Sequence, residues 1–333
     1  MLSYLIRRVL IMLPTLFVIS LISFIIINLP PGDIMTVVLM QRAAEGETIT
    51  EADLRQMESL RVRYGLDRPA YVRYFRWMSG ILTRGDFGYS LNWNRPARDI
   101  IVARFFYTLV LTGSALLFTF VIAFPVGFLS AVKQYSVTDY VFTFFGFLGL
   151  AIPNFLFALV LMYLGYHWYG TVFGGLFSAA YVDAPWSTAR VIDMLKHLVI
   201  PTIVLGTAGT AGLIRVMRNN LLDELGKPYV MTARAKGVNP IRLLLKYPVR
   251  IAINPFLSTV GWLLPDMFSG AIITSVVLQL PTFGPAFLSS LMSQDMYLAG
   301  SFVLIFASLT VFGTFLSDIL LAWADPRIRY DKD

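Results

Sequence analysis

The residues best placed to do chemistry are basic and lie in residues 229–255, a polar stretch between two strongly apolar ones. Such cations stay out of lipid and can pair with acidic groups of a protein partner, or with anionic lipid at a membrane surface. They are Arg234, Lys236, Arg242, Lys246 and Arg250. We therefore expect this stretch to recognise a partner outside the membrane.

Local signals predict how this segment folds. Residues 230–236 favour a short helix, and Gly237 stands where a left-handed residue commonly follows one. Asn239 can cap a second helix that has Pro240 at its first position. The segment is therefore expected to form two short helices joined by a glycine hinge, held at the membrane surface as a docking element.

An ionisable side chain inside an apolar stretch is the second candidate site. Asp266 lies near the middle of residues 251–278, where charged groups are costly and usually face a cavity or a partner. We expect Asp266 to line a translocation pathway; the alternative is a structural hydrogen bond to a neighbouring helix. Asp318, towards the end of the last apolar stretch, is expected to have a structural or interfacial partner.

Signatures of catalysis are missing from the sequence. Gly226 and Lys227 are followed by Pro228 and lack the earlier glycine of a phosphate-binding loop. His167 and His197 form no metal-binding pair and are expected near the outer membrane surface, and the chain has no cysteine. We therefore predict no catalytic residue, no cofactor and no metal site, so any energy source must lie in another subunit.

Composition indicates a membrane protein. Hydrophobic residues make up 57% and charged residues 14% of the 333 residues, far from the average of soluble domains. A membrane helix needs about 20 apolar residues to cross about 30 Å. We predict an all-α integral membrane protein with six transmembrane helices. These are residues 9–29, 105–132, 141–165, 198–216, 251–278 and 298–323.

The distribution of lysine and arginine orients these spans. With the N-terminus inside, 14 of the 27 basic residues are cytoplasmic, and the two short outer loops hold only Arg190 and Lys196. The other 11 lie in the long segment after the first span, which is largely exempt from the rule. Both termini are therefore predicted to be cytoplasmic, and the net charge of +7 requires no nucleic acid. The first apolar stretch is too long for a cleaved signal peptide.

Four regions follow from this topology. Residues 1–29 are the first transmembrane helix, residues 30–104 an extracytoplasmic segment with short helices, residues 105–323 a five-helix core containing the cytoplasmic loop 217–250, and residues 324–333 a cytoplasmic tail. Thr50 and the acidic residues after it predict a helix start, and residues 71–82 a second amphipathic helix. These helices either brace the bundle at the outer surface or dock an extracytoplasmic partner.

Four fragments in this order carry a family resemblance: RRVLIMLPTLFVISLISFIIINLPPGD, YGLDRPAYVRYFRWMSGILTRGDFGYSL, TARAKG and ADPRIRY. Together with the six-span frame, they resemble the inner-membrane permease subunits of ABC importers for dipeptides and oligopeptides. That family also includes nickel and oligosaccharide permeases. The resemblance covers nearly the whole chain and implies the type I ABC importer permease fold in a bacterial or archaeal cytoplasmic membrane.

The resemblance also implies partners and a coupling site. In the wider importer family, the loop motif begins Glu-Ala-Ala, with a glycine four residues after the second alanine. Here Met231 replaces the glutamate, whereas Gly237 is retained. The small Ala233 and Ala235 are expected to let an ATPase approach closely. The implied partners are two cytoplasmic ATPase subunits, a second homologous permease, an extracytoplasmic solute-binding protein and the lipid bilayer. The implied coupling residues are Tyr229, Thr232, Ala233, Arg234, Ala235, Lys236 and Gly237.

The solute stays open at this point. Peptides are the family default, and oligosaccharides are the alternative, because Ser275 replaces a common acidic residue and residues 278–284 depart from the usual run. Nickel is disfavoured, since no histidine or carboxylate cluster lies in the spans. A passive channel or sensor without an ATPase is a more remote alternative, because a passive pore needs no docking element.

Overall fold

The computed structural model describes residues 2–29, 32, 34–44, 46, 49–170 and 174–324. These residues form fourteen α-helices, a 3-10 helix at Ala179–Tyr181 and an antiparallel hairpin of β1 (Tyr89–Ser90) with β2 (Arg95–Pro96). The helices are α1 (Leu2–Ile27), α2 (Ile34–Ala44), α3 (Glu51–Tyr64), α4 (Ala70–Arg84), α5 (Ala97–Val132), α6 (Val137–Ala151), α7 (Asn154–Tyr169), α8 (Thr188–Leu225), α9 (Pro228–Ala235), α10 (Pro240–Lys246), α11 (Pro248–Ser258), α12 (Val260–Val277), α13 (Phe283–Met292) and α14 (Met296–Ala324).

Five of the described helices are long and apolar enough to cross a membrane. The helix pair α6 and α7 makes a sixth span if it is counted as one. The prediction of an all-helical protein with several spans is therefore confirmed. The five single spans are Arg8–Ile27, Ala97–Val132, Thr188–Leu225, Val260–Val277 and Met296–Ala322.

The third predicted span, residues 141–165, is not one continuous helix. It is divided between α6 and α7, which meet at an angle of 103°. Ile152 has an extended backbone (φ −92°, ψ 121°) and precedes Pro153. A proline disfavours helical geometry in the residue before it and has no amide hydrogen to donate, so α6 ends there.

The fifth predicted span, residues 251–278, is also divided. The structure has α11 up to Ser258 and α12 from Val260, and only α12 qualifies as a span. Pro255 lies inside α11 and removes one helical donor. At the junction, the Thr259 hydroxyl donates to the carbonyl of Phe256 at 2.7 Å, where a helical amide would normally bond.

The chain divides into two compact units, which are described separately. The first comprises Met1–Arg8, Leu109–Pro281 and Leu309–Asp333. Its central element is α8, which packs against α6, α7, α11 and α12. A Cβ on Gly206 of α8 would lie 2.5 Å from Cδ1 of Phe118, so only glycine allows this close approach. Because α8 continues to Leu225, residues 217–225 of the predicted loop are helical, and the connection to α9 begins at Gly226.

The second unit comprises Val9–Thr108 and Thr282–Ser308. The predicted start of α3 is confirmed by a capping box, in which the Thr50 amide donates to Asp53 at 3.0 Å. Helix α4 packs its buried Tyr74 and Trp77 against Phe24 of α1, and the hydroxyls of Ser20 and Tyr74 are 2.7 Å apart. These contacts support the bracing role for α4.

A buried carboxylate holds the hairpin in this second unit. Asp295 is 3% exposed and accepts a hydrogen bond from the Ser90 hydroxyl at 2.5 Å. Its other oxygen accepts from the Leu298 amide at the start of α14 at 3.3 Å. Burial raises the pKa of Asp295 above its ordinary value, although these hydrogen bonds oppose the shift.

Candidate functional site

The predicted helix–glycine–helix element is present as α9, Gly237 and α10. Gly237 has a left-handed φ of +72°. Its amide donates to the Arg234 carbonyl at 3.0 Å, and the Val238 amide donates to the Ala233 carbonyl at 3.3 Å. These two bonds form a Schellman motif, which satisfies the last carbonyls of α9 and confirms the predicted hinge.

The start of α10 is also as predicted. The Asn239 side-chain oxygen accepts from the amides of Ile241 at 3.0 Å and Arg242 at 3.5 Å. Pro240 occupies the first helical position, where its missing amide hydrogen leaves no helical bond unmade. The two short helices are thus fixed by backbone geometry and a local cap.

A small apolar cluster joins the two helices. Val230, Ala233 and Leu243 are buried against each other, with Tyr229 and Val238 packed at the edge. The position of Ala233 differs from the expectation, because its side chain is 8% exposed and faces α10 rather than an outside partner. Its small size therefore serves the close packing of α9 on α10, whereas Ala235 is exposed as expected.

The outer surface of this element is mixed in character. Three large apolar side chains are exposed: Met231 at 61%, Ile241 at 69% and Leu245 at 55%. The remaining predicted coupling residues on this surface, and the other cations near them, are exposed as well. They are Thr232, Arg234, Lys236, Gly237, Arg242 and Lys246. Exposed apolar residues ringed by polar ones are typical of a protein interaction site.

Tyr229 connects the element to α8. Its hydroxyl donates to Oε2 of Glu224 at 2.5 Å. Burial, together with the hydrogen bond and the charge of Glu224, raises the pKa of Tyr229, so the phenol stays protonated and remains a donor at physiological pH. Tyr229 is among the residues predicted from the sequence, whereas Glu224 is not, because a spacing of five residues across a helix end follows no common pairing pattern.

Asp266 lies on α12 and is exposed on the surface of the chain. No described residue makes a hydrogen bond or ion pair with Asp266. The described residues therefore give no support to the alternative prediction, a structural hydrogen bond to a neighbouring helix. Asp318 differs, because its Oδ1 lies 3.1 Å from Nη2 of Arg8. The expectation of a structural partner for Asp318 is therefore confirmed.

A buried ion pair was missed by sequence reasoning. Asp139 at the start of α6 is 3% exposed and accepts two bonds from Arg218 of α8, at 3.0 Å from Nε and 2.9 Å from Nη2. The two residues are 79 positions apart. No local sequence pattern links the two residues, and only the packing of α6 on α8 brings them together.

The two histidines make local contacts within their own helices. Nδ1 of His197 is 2.9 Å from the carbonyl of Asp193 one turn earlier, and the His167 ring stacks on Tyr163. Within the described part of the chain, no three histidine, cysteine or acidic residues are grouped so that they could hold a metal ion.

The fold and the site together define a polytopic helical membrane protein with a structured helix–glycine–helix element between two of its spans. Residues 123–330 match the family profile "Binding-protein-dependent transport system inner membrane component", and residues 1–112 match the profile for the N-terminal part of such membrane components. The chain therefore belongs to the family of inner-membrane components of binding-protein-dependent transport systems. This confirms the resemblance, the multi-pass inner-membrane location and the assignment as a transport subunit rather than an enzyme.

Curated relatives match over their full length. The chain is 37% identical to the oligopeptide transport system permease protein AppB of Bacillus subtilis, over 99% of this chain and 100% of AppB. It is 29% identical to the dipeptide transport system permease protein DppB of Escherichia coli K12, over 100% of both chains. It is 30% identical to the oligopeptide permease protein OppB of Haemophilus influenzae, over 99% of this chain and 100% of OppB.

Proposed function

We propose that this chain is one permease subunit of an ATP-driven importer whose solute is a peptide. The support is that AppB, DppB and OppB, which align with it end to end, are all named for peptide transport. These names favour peptides over the oligosaccharide alternative. The departures at Ser275 and residues 278–284 are the reason to test both solutes.

The observation that carries the coupling role is the exposed apolar surface of α9 and α10. Met231, Ile241 and Leu245 lie in the loop that carries the cytoplasmic cations, where water would otherwise cover them. Burying side chains of this size contributes roughly 1.5–3 kcal/mol each. A cytoplasmic ATPase subunit that covers them and offers carboxylates to Arg234 and Lys236 fits this surface.

The complete importer on this proposal contains four further subunits. A second homologous permease would complete the pore, two ATPases would engage the two docking elements, and an extracytoplasmic binding protein would deliver the solute. Closure of the ATPases would move α9 and α10 and switch the pore between outward-facing and inward-facing states.

Asp266 is the proposed pathway residue. It lies within an apolar span and is exposed, with no bonding partner among the described residues. A carboxylate in this position is stable when it faces water or a partner rather than hydrocarbon. In the assembled pore, Asp266 would therefore face the solute path and meet polar or cationic groups of the peptide.

Uptake by the complete transporter in proteoliposomes tests these roles. With its own binding protein present, labelled short peptides should enter in an ATP-dependent manner, and labelled linear oligosaccharides should not. If oligosaccharides are transported and peptides are not, the solute is an oligosaccharide and the peptide proposal is wrong.

Two matched carboxylate variants test the pathway. Asp266→Asn should change the KM or the preference between cationic and neutral peptides. Asp318→Asn, which removes the pairing with Arg8, should change only how much transporter assembles. Unchanged kinetics for Asp266→Asn would remove the pathway role.

A further inference from the structure

A cleft between α6 and the cytoplasmic part of α8 has no role in the coupling or pathway described above. Its volume is about 320 Å³. Its lining combines charged and polar side chains with apolar and aromatic ones. The lining residues that matter here are Tyr135, Tyr140, Phe147, Arg215, Arg218 and Asn219.

Arg218 is held in place within this cleft. Its Nε and Nη2 donate to the two oxygens of Asp139, and the Tyr135 amide donates to the same carboxylate at 3.0 Å. Among the described residues, Nη1 of Arg218 has no bonding partner. A planar guanidinium fixed on one edge presents its remaining donors in a set direction.

Arg215, one turn earlier on α8, supplies a charge without a counterion. Its guanidinium carbon lies 4.9 Å from the centroid of the Phe147 ring, a cation–π contact with α6. No carboxylate among the described residues pairs with it. Two guanidinium groups therefore face one carboxylate, and the cleft carries a net positive charge.

The depth of the cleft follows from the length of α8. With 38 residues, α8 is about 57 Å long, whereas the hydrocarbon core is about 30 Å thick. Part of α8 must therefore extend beyond the hydrocarbon. The predicted span ends at residue 216, which places Arg215 at its cytoplasmic end and Arg218 just beyond it, at the level of the headgroups. On α6, Tyr140 in the lining of the cleft is 62% exposed and Phe144 beside the cleft is 63% exposed, so an apolar surface runs from the cations towards the hydrocarbon.

We propose that this cleft binds an anionic glycerophospholipid of the cytoplasmic leaflet. The phosphodiester accepts from Arg215 and from Nη1 of Arg218, while Asn219 contacts the polar part of the headgroup. One acyl chain lies along Tyr140 and Phe144. A free phosphate would use the cations alone and leave the aromatic surface uncovered, so the joined polar and apolar walls favour a lipid. The proposal is independent of the solute.

Lipid titration of the purified, complete transporter in neutral detergent tests this site. The probes are phosphatidylglycerol and phosphatidylcholine, and retained lipid is counted by native mass spectrometry. Salt of about 0.3 M screens exposed charges beyond roughly 6 Å, which suppresses diffuse attraction. Wild type should retain phosphatidylglycerol at least about tenfold more tightly than phosphatidylcholine. A charge-assisted contact contributes about this much.

The decisive variant is Arg215→Gln, with Lys133→Gln as the matched control. Lys133 is an exposed cytoplasmic cation outside the lining of the cleft. Arg215→Gln should lose about tenfold in phosphatidylglycerol affinity, and Lys133→Gln less than twofold. Equal losses in the two variants would mean diffuse surface charge and would overturn the proposal.

Three further outcomes are decisive. If inorganic phosphate at millimolar concentration displaces the lipid from wild type, the ligand is a free anion and the proposal is overturned. If Arg215→Gln keeps its lipid but weakens the association of the two permeases, the cleft holds an acidic residue of the partner. If Arg215→Gln does not assemble, Phe147→Leu replaces it: weaker lipid retention supports the site, and unchanged retention overturns it.

Discussion

Replacing Gly237 with alanine tests whether coupling depends on the left-handed hinge between α9 and α10. An L-residue in this conformation costs about 1–2 kcal/mol relative to glycine. No heavy atom outside the neighbouring residues lies within 4 Å of the Cβ that alanine would add. The cost therefore comes from the backbone alone, and it lowers the equilibrium constant for forming the left-handed turn at residue 237 about five- to thirtyfold.

Two matched variants separate backbone strain from other effects. Gly237→Asn adds a larger side chain but tolerates the left-handed region, so it should be milder than alanine. Gly226→Ala adds the same methyl group in the same loop at a φ of −81°, where alanine is unstrained and should be neutral or slightly stabilising.

Hydrogen exchange and coupled turnover provide the assay. In the complete transporter, amides of residues 228–247 should exchange faster in Gly237→Ala, and uptake per ATP hydrolysed should fall. The expected order of coupling is wild type, then Gly237→Asn, then Gly237→Ala. If asparagine is as harmful as alanine, or if Gly226→Ala is equally harmful, the left-handed hinge is not the cause.

Three further changes have defined outcomes. Arg218→Met should destabilise the first unit by about 3–5 kcal/mol because it leaves the buried carboxylate of Asp139 unpaired, whereas adding Asp139→Leu should recover most of that loss in a thermal unfolding series. Tyr229→Phe should lower the stability of α9 by about 1 kcal/mol and speed its amide hydrogen exchange. In a double-mutant cycle, the effect of Tyr229→Phe should be smaller when Glu224→Gln is already present. Burial raises the pKa of Asp295 above 3.8, so the unfolded chain loses this proton at a lower pH than the folded one. The free energy of unfolding of the second unit should therefore fall as pH rises through the raised pKa. Asp295→Asn should flatten this pH dependence, as measured by hydrogen exchange of the hairpin.

Local features of the docking element were predictable from the sequence because their causes are local. Gly237 ends one helix through its own backbone freedom, and Asn239 starts the next through a bond two residues away. The capping box at Thr50 follows the same rule. Such signals depend on a few adjacent residues, so no knowledge of the fold is needed.

Features that depend on packing could not be predicted from the sequence. Hydropathy cannot distinguish a straight span from the bent pair α6 and α7, because one apolar sequence is compatible with either shape. Pro153 alone does not set the angle of 103° between them. The pair of Asp139 and Arg218 requires α6 to lie on α8. The burial of Ala233 likewise depends on how α10 folds back, so an alanine expected on the surface became part of a core.

The attachment of the docking element explains how a push on it can reach the spans. At one end, Tyr229 bonds to Glu224 in the last turn of α8. At the other end, only Tyr247 separates α10 from α11, which packs along α8. The apolar cluster of Val230, Ala233 and Leu243 makes the two short helices one body. Because this body is attached at both ends to helices that pack on each other, we expect its movement to be coupled to α8 and α11. If an ATPase binds this element as proposed above, displacing α9 and α10 should either carry these helices along or break the Tyr229–Glu224 bond, so the bond that would transmit the movement is also the place where coupling would fail.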